Sequence, residues 1–193
     1  VNDPDLNYQV KYAGVGINIC NENDGKLLIF GRTLNRYDRT TGKCRRIKID
    51  SGTKSIGYFL SIGNTDKGLW FHDNRKLYFL PTGAEDLTTV SVFSSNETIR
   101  CGHIDQKGDI WLATSDGLHR FDTTNRSFHK IPTSLFNDDV SVVCDKNARV
   151  WVGTKYGLFA YLSKSDTFAM FGKSDGAEPN EYLSKARLLA RSG

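Results

Sequence analysis

Apolar and polar residues alternate along the chain with the two-residue period of β-strands, most clearly between residues 140 and 171. Val140, Val142 and Cys144 alternate with polar or smaller residues, and a turn-forming segment follows at 145–148. Three more short apolar segments come after it, separated by further turns. The pattern predicts four antiparallel strands, at residues 140–144, 150–152, 158–161 and 168–171.

The same plan recurs in four repeats along the chain. One apolar position returns at intervals of 42, 41 and 40 residues and holds all three tryptophans: Leu28, Trp70, Trp111 and Trp151. A leucine a few residues later gives a second anchor: Leu34, Leu77, Leu118 and Leu158. We expect Trp111 and Trp151 to be buried between strands, so replacing either with alanine should cost about 3–5 kcal/mol.

A repeat of this length made of short strands is typical of propeller blades. The chain is therefore predicted to be all-β, a single partial β-propeller over 1–193 with four four-stranded blades. We expect an extra strand at each end, within Leu6 to Lys11 and within 182–193, so the sequence is interpreted as a piece of a longer protein. The predicted blades span approximately residues 13–50, 56–93, 98–132 and 139–173.

The charge of the chain does not indicate a particular partner, because the net charge is only +4. The densest basic run, Lys43 to Lys48 (KCRRIK), falls on a predicted outer strand, and a nucleic-acid footprint would be denser and confined to one face. We therefore expect a solvated strand face and no nucleic-acid partner. No apolar run is long enough to span a membrane. A membrane contact would come only through segments outside this sequence.

The four cysteines, Cys20, Cys44, Cys101 and Cys144, lack the close spacing of a zinc or redox motif. Three of them fall in predicted first strands, where a thiol acts as a small apolar residue. A disulfide between neighbouring inner strands stays open as an alternative.

Candidate catalytic groups do not form a recognisable motif. Two of the four histidines, His72 and His119, occupy positions that other repeats fill with strand residues. An aspartate recurs at the first turn of every repeat, which favours backbone capping over acid–base chemistry: Asp24, Asp66, Asp105 and Asp145. No nucleophile elbow, phosphate loop or dinucleotide fingerprint appears. We expect no enzyme activity, cofactor or metal site in this fragment.

Propeller connectivity places two sets of loops on one face, those joining strands two and three and those joining one blade to the next. The loops on this face are longer and more varied than the turns on the other, which makes them better candidates for recognition. The predicted ligand-binding residues on these loops are Tyr58, Arg75, Asp116, Phe136 and Tyr156.

The segment Ile110 to Asp122 (IWLATSDGLHRFD) resembles the two-component regulator propeller repeat, whose pattern is roughly G-x-I-W-x-G-T-x-x-G-L-x-x-Y-D. Val150 to Tyr161 (VWVGTKYGLFAY) is similar to it as well, although Leu162 replaces the last Asp. The resemblance is strong in the third and fourth repeats and weak in the first two, the second of which lacks the Thr and Gly.

This resemblance implies the periplasmic sensor region of a hybrid two-component system of Bacteroidetes, in which tandem seven-bladed propellers precede a membrane helix and a histidine kinase. It implies a non-catalytic fragment that contributes to oligosaccharide sensing and signal transmission. The implied partners are an oligosaccharide, the remaining blades of the parent propeller and a second copy in a homodimer. Two alternatives remain, a structural or dimerisation scaffold and a propeller polysaccharide lyase.

Overall fold

A computed structural model describes residues 18–22, 25–49, 58–131, 133, 140–145, 147–154 and 156–177. The chain forms two compact units, Val1–Val92 and Phe93–Gly193. The described residues form 17 β-strands and one short 3-10 helix, Lys173–Asp175. The predicted terminal strands and the candidate residue Phe136 lie outside the described residues.

The first unit contains two sheets. The first sheet is antiparallel, with its strands in chain order: β1 (Asn18–Asn21), β2 (Leu27–Phe30), β3 (Leu34–Tyr37) and β4 (Cys44–Arg46). The second sheet has the order β5-β9-β8-β7-β6: β5 (Lys48–Ile49), β6 (Leu60–Thr65), β7 (Gly68–His72), β8 (Lys76–Pro81) and β9 (Asp86–Val92). Strand β5 pairs in parallel with β9, while the other pairs are antiparallel.

The second unit also contains two sheets, each with four antiparallel strands in chain order. The third sheet comprises β10 (Ile99–Ile104), β11 (Ile110–Thr114), β12 (Gly117–Asp122) and β13 (Ser127–Ile131). The fourth comprises β14 (Val140–Cys144), β15 (Val150–Thr154), β16 (Gly157–Leu162) and β17 (Thr167–Phe171).

The all-β prediction is confirmed, and the strands predicted for the fourth repeat are the strands of the fourth sheet. One element differs from the prediction. The second sheet has five strands. After β4 ends at Arg46, the chain continues through Ile47, and Lys48 and Ile49 then pair with β9 as strand β5. A two-residue strand has no alternation of its own, so periodicity does not reveal it.

The aspartates at the first turns of the second unit cap the backbone, as predicted. Asp105 Oδ1 accepts hydrogen bonds from the N–H groups of Lys107 (2.9 Å) and Asp109 (3.1 Å), and its Oδ2 accepts one from Trp111 Nε1 (3.0 Å). The carboxylate therefore closes the turn and fixes the indole on the next strand at the same time.

Asp145 repeats this arrangement one sheet later. Its Oδ1 accepts from the N–H groups of Asn147 (2.8 Å) and Arg149 (3.0 Å), and Oδ2 from Trp151 Nε1 (3.0 Å). Burial raises the pKa of Asp145, but the hydrogen bonds from Trp151 and Arg149 outweigh it and lower the pKa to about 2. Asp24, the equivalent residue of the first repeat, lies outside the described residues.

The apolar residues of each unit pack into a core of their own. In the first unit the rings meet edge to face, Phe30 with Phe71 at 5.3 Å and Phe59 with Tyr78 at 5.2 Å. In the second unit the core lies between the third and fourth sheets, and residues of strands β10, β11 and β14 contribute to it.

The two tryptophans of the second unit differ in burial. Trp111 is 6% exposed, because Tyr161 of the fourth sheet covers it at a ring distance of 5.5 Å. Trp151 is only half-buried, so the prediction of a buried position is wrong for this residue. Its ring contacts Phe171 of its own sheet at 5.0 Å, and among the described residues no further sheet follows to cover it.

All four cysteines lie within the described residues, and none is in a disulfide. Cys101 and Cys144 are buried in the core of the second unit, as expected for thiols that act as small apolar residues. Burial raises the pKa of the Cys144 thiol to about 12 and that of the half-buried Cys20 to about 11. The alternative of a disulfide between inner strands is therefore not realised.

Candidate ligand-binding surfaces

In the third sheet, the turn between β11 and β12 lies against the loop that leads into β10. The Ser115 N–H donates to the Thr98 carbonyl oxygen (2.9 Å), and the Thr98 N–H donates to Ser115 Oγ (3.0 Å). The candidate residue Asp116 lies on this turn, where its exposed carboxylate pairs with Lys130 Nζ. The hydrogen bond from Lys130 is the main cause of the lowered pKa of Asp116.

Next to this turn, His119 is buried between aromatic rings. Its Nε2 lies 2.7 Å from Glu97 Oε1, and Thr114 Oγ1 donates to the same oxygen (2.8 Å). The imidazole meets the Phe93 and Phe128 rings edge to face at 5.4 and 6.2 Å. Burial lowers the pKa of His119, and the nearby Glu97 offsets part of this effect.

The fourth sheet has its own exposed residue at the corresponding turn. Tyr156 is 50% exposed, and its N–H donates to Thr154 Oγ1 (3.0 Å). Asp116 is held in the same way, since its N–H donates to Thr114 Oγ1 (3.2 Å). The two candidate residues therefore occupy the same position in two hairpins of the second unit.

The first unit places the candidate residues Tyr58 and Arg75 on two different loops. Tyr58 is joined to Arg32, whose Nε donates to the phenol oxygen (3.1 Å) and whose guanidinium carbon lies 5.2 Å from the ring centre. Arg75 lies on the turn between β7 and β8, where its N–H donates to Asp73 Oδ1 (2.7 Å). Asp73 also accepts from Tyr78, so the turn that lacks the repeat's glycine is still fixed by a carboxylate.

A cleft of about 470 Å³ lies at the other end of the first sheet from the Arg32–Tyr58 pair. It is formed by the turn between β3 and β4, by strands β4 and β5, and by the turn between β8 and β9. Residues of this basic cleft are Lys26, Arg36, Asp38, Thr41, Lys43, Arg45, Arg46, Ile47, Lys48, Gly83, Glu85 and Asp86.

One buried arginine links the two sides of the basic cleft. Arg36 donates from Nε to Glu22 Oε2 (2.5 Å) and from Nη2 to Oε1 (2.6 Å), while its Nη1 donates to the Ala84 carbonyl (2.7 Å). The side chains of Arg36 and Glu22 are only 11% and 2% exposed. The two-pronged pair with Glu22 fixes the orientation of the Arg36 guanidinium within the first sheet. The bond from Nη1 to Ala84 then joins strand β3 to the β8–β9 turn.

Sequence reasoning did not place a site at the basic cleft. The run Lys43 to Lys48 was interpreted as a solvated strand face, and its density of charge was the available signal. The missing information was spatial, because the acidic and glycine residues that complete the cleft come some 40 residues later, at 83–86.

Catalytic or metal-binding clusters are not apparent in the part of the chain that the structure describes. No group of three or more His, Cys, Asp or Glu residues there could hold a metal ion. The exposed His129 has Nε2 3.6 Å from Asp166 Oδ2, and Nδ1 of the buried His72 lies 2.9 Å from the carbonyl oxygen of Asp73. Nor does any described helix have the length and apolar character needed to cross a membrane.

Comparison with known proteins gives matches to solved structures alone. No protein-family profile and no curated relative matches the chain. The chain is similar to the extracellular domains of two hybrid two-component systems of B. thetaiotaomicron. Both are 20% identical to it, with TM-scores of 0.58 and 0.60 over 86% and 76% of this chain. The chain spans 23% and 21% of those two domains, less than a quarter of their length.

A similar likeness extends to an enzyme. Virginiamycin B lyase from Staphylococcus aureus is 16% identical, with a TM-score of 0.61 over 80% of this chain and 54% of the lyase. At these identities the likeness defines the fold class, an all-β repeat architecture shared by extracellular sensor domains and a lyase.

Proposed function

We propose that the chain is part of the extracytoplasmic sensor region of a hybrid two-component signalling protein. In this proposal its four sheets are blades of a β-propeller, with the blade boundaries predicted above. The chain contributes to oligosaccharide recognition and to signal transmission, has no catalytic activity of its own and lies in the periplasm. The kinase, the membrane helix and the homodimer contacts belong to the parent receptor as a whole.

The observation that carries this proposal is the coincidence of motif and geometry in the second unit. The regulator-type motif appears twice, and each copy builds a four-stranded sheet with the same Asp-capped turn and the same Thr-held hairpin. Similarity to two sensor domains over most of this chain supports the same reading.

The proposed oligosaccharide surface of each unit is made of loop residues: Tyr58 and Arg75 in the first unit, and Asp116, Phe136 and Tyr156 in the second. Sugar rings offer apolar faces to aromatic side chains and hydroxyl groups to directional polar partners. Tyr156 exposes half of its surface on one hairpin, and Asp116 presents a carboxylate at the equivalent place on the neighbouring one. This combination suits a carbohydrate better than a purely apolar or purely charged surface would.

Titration of the full chain with a library of neutral oligosaccharides, followed by calorimetry, tests the proposal. At least one oligosaccharide should bind, and Tyr156→Ala should weaken it by about tenfold, equivalent to about 1.4 kcal/mol. Leu162→Ala is the matched control, because Leu162 is exposed at the opposite end of the strand that follows Tyr156. Affinity should be unchanged in this control.

Other outcomes favour the alternatives. If no oligosaccharide binds, the sensing role fails and the scaffold interpretation takes its place. If an acidic polysaccharide is cleaved with formation of a new double bond, visible in the ultraviolet, the chain is a lyase instead.

A further inference from the structure

The lining of the basic cleft has a surplus of positive charge. Among the described residues its lining carries six Lys or Arg and three Asp or Glu side chains, a surplus of three cations. Its volume of about 470 Å³ falls within the range of small-molecule pockets, roughly 300–1,000 Å³. The proposed oligosaccharide surface does not include any of these residues.

Part of this charge is neutralised within the protein. Arg36 donates to Glu22 from Nε and Nη2, and Nη1 of the exposed Arg45 lies 3.1 Å from Glu85 Oε1. These two ion pairs stabilise the walls of the cleft, so Arg36 and Arg45 are not counted among the groups that would bind a ligand.

Three of the other cations are available to a ligand. Lys43, Arg46 and Lys48 are exposed, and their side chains have no partner among the described residues. They come from the β3–β4 turn, strand β4 and strand β5. Strand β5 pairs with β9, with Lys48 beside Asp86, so the cations are not confined to one wall of the cleft.

The backbone that carries these cations is fixed before any ligand arrives. Asp38 Oδ1 accepts from the N–H groups of Thr40 (2.8 Å) and Thr41 (3.1 Å), which closes the β3–β4 turn. Arg36 fastens the opposite wall through the Ala84 carbonyl. A preorganised site loses less conformational entropy on binding than a mobile one.

The composition of the lining indicates the class of ligand. Lys and Arg bind sulfate, phosphate and carboxylate groups through charge-assisted hydrogen bonds. The described residues of the lining include no aromatic side chain, and single-stranded nucleic acids and neutral sugars depend on aromatic stacking. The space is also much larger than one inorganic ion needs.

We propose that the basic cleft is a second binding site, which takes an acidic saccharide with two or more sulfate, phosphate or carboxylate groups through Lys43, Arg46 and Lys48. This site shares no residue with the proposed oligosaccharide surface, so it can bind its ligand whether or not that surface binds neutral sugars.

Calorimetric titration of the full chain tests this inference with four probes: maltose bearing two sulfate esters, digalacturonate, unmodified maltose and sodium sulfate. At least one acidic disaccharide should bind, and binding should weaken at high ionic strength because the cations are exposed. The double variant Arg46→Gln/Lys48→Gln should lower the affinity by at least about tenfold. Tyr156→Ala should leave it unchanged, which separates this site from the proposed oligosaccharide surface.

The control double variant Lys164→Gln/Lys173→Gln removes the same charge from exposed positions of the second unit and should bind as the unchanged protein does. An equal loss in both double variants would mean general attraction to a cationic chain and would overturn the proposal. So would binding of sodium sulfate as tight as that of the disaccharides, which would mean an ion site only. Absence of binding by both acidic disaccharides would also overturn it.

Discussion

At the scale of single residues, a pairing of carboxylate and indole recurs in the second unit. Asp105 and Asp145 each close a turn and accept a hydrogen bond from the indole of Trp111 or Trp151. Recurrence of Asp and Trp in the sequence predicted both a turn cap and a core position. Recurrence did not reveal the bond between them, since it depends on how the turn folds back on the strand.

Replacing Trp111 with alanine should destabilise the protein by about 3–5 kcal/mol, because a buried aromatic side chain and its hydrogen bond are both lost. Trp151→Ala should cost less, since its side chain is already partly exposed. Urea unfolding followed by circular dichroism measures both. If the Trp111 variant unfolds like the unchanged protein, the alignment of the repeats is wrong.

The buried His119 makes the stability of the second unit depend on pH. Its folded-state pKa lies below the unfolded value of about 6.5 because burial disfavours the imidazolium, despite the nearby Glu97. Asp116 and Lys130 add opposing effects of their own. The unfolded state therefore binds the proton more readily, and stability present above about pH 6.5 is lost as the pH falls towards the folded-state pKa.

His119→Gln should flatten this part of the stability profile between about pH 7 and pH 5, because the amide does not titrate. Unfolding free energies from urea titrations at several pH values provide the measurement. His129→Gln is the control, since His129 is exposed. Profiles of equal slope for the His119 variant and the unchanged protein would show that His119 is not protonated more readily on unfolding.

At the scale of elements, strand order follows chain order in three of the four sheets, and the repeat pattern predicted this arrangement. The second repeat was predicted from spacing although its central turn lacks glycine. The structure explains why the hairpin survives, since Asp73 accepts hydrogen bonds from Arg75 and Lys76 N–H groups across that turn. The parallel strand β5 and the Glu22–Arg36 pair escaped prediction, because both depend on contacts distant in sequence.

A substitution at Gly68, the first residue of β7, tests the pairing of strands β7 and β8. Its φ is +152°, and a Cβ there would lie 2.2 Å from the Leu80 carbonyl oxygen and 2.9 Å from Pro81 Cα. Gly68→Ala should therefore cost at least about 2 kcal/mol, since the backbone is strained and β8 must move. Gly172→Ala is the control and should change stability by less than about 0.5 kcal/mol, because a Cβ there meets nothing within 4 Å. Equal urea midpoints for the two variants would contradict the β7–β8 pairing.

At the scale of the whole molecule, the chain consists of two compact units with two sheets each. The sequence predicted the all-β class and the repeat, because both are local and recur four times. The candidate site is less well determined by sequence. Loop position alone selected Tyr58 and Tyr156, whereas the basic cleft forms only when a basic strand and a later turn meet.

The most direct test of the sensor assignment is to read the gene's open reading frame on both sides of this segment. We expect further repeats of the same type upstream, and a membrane-spanning helix followed by a histidine kinase downstream in the same frame. A start codon directly before Val1 together with a stop codon directly after Gly193 would contradict it. Binding or catalysis would then have to reside in these four sheets alone.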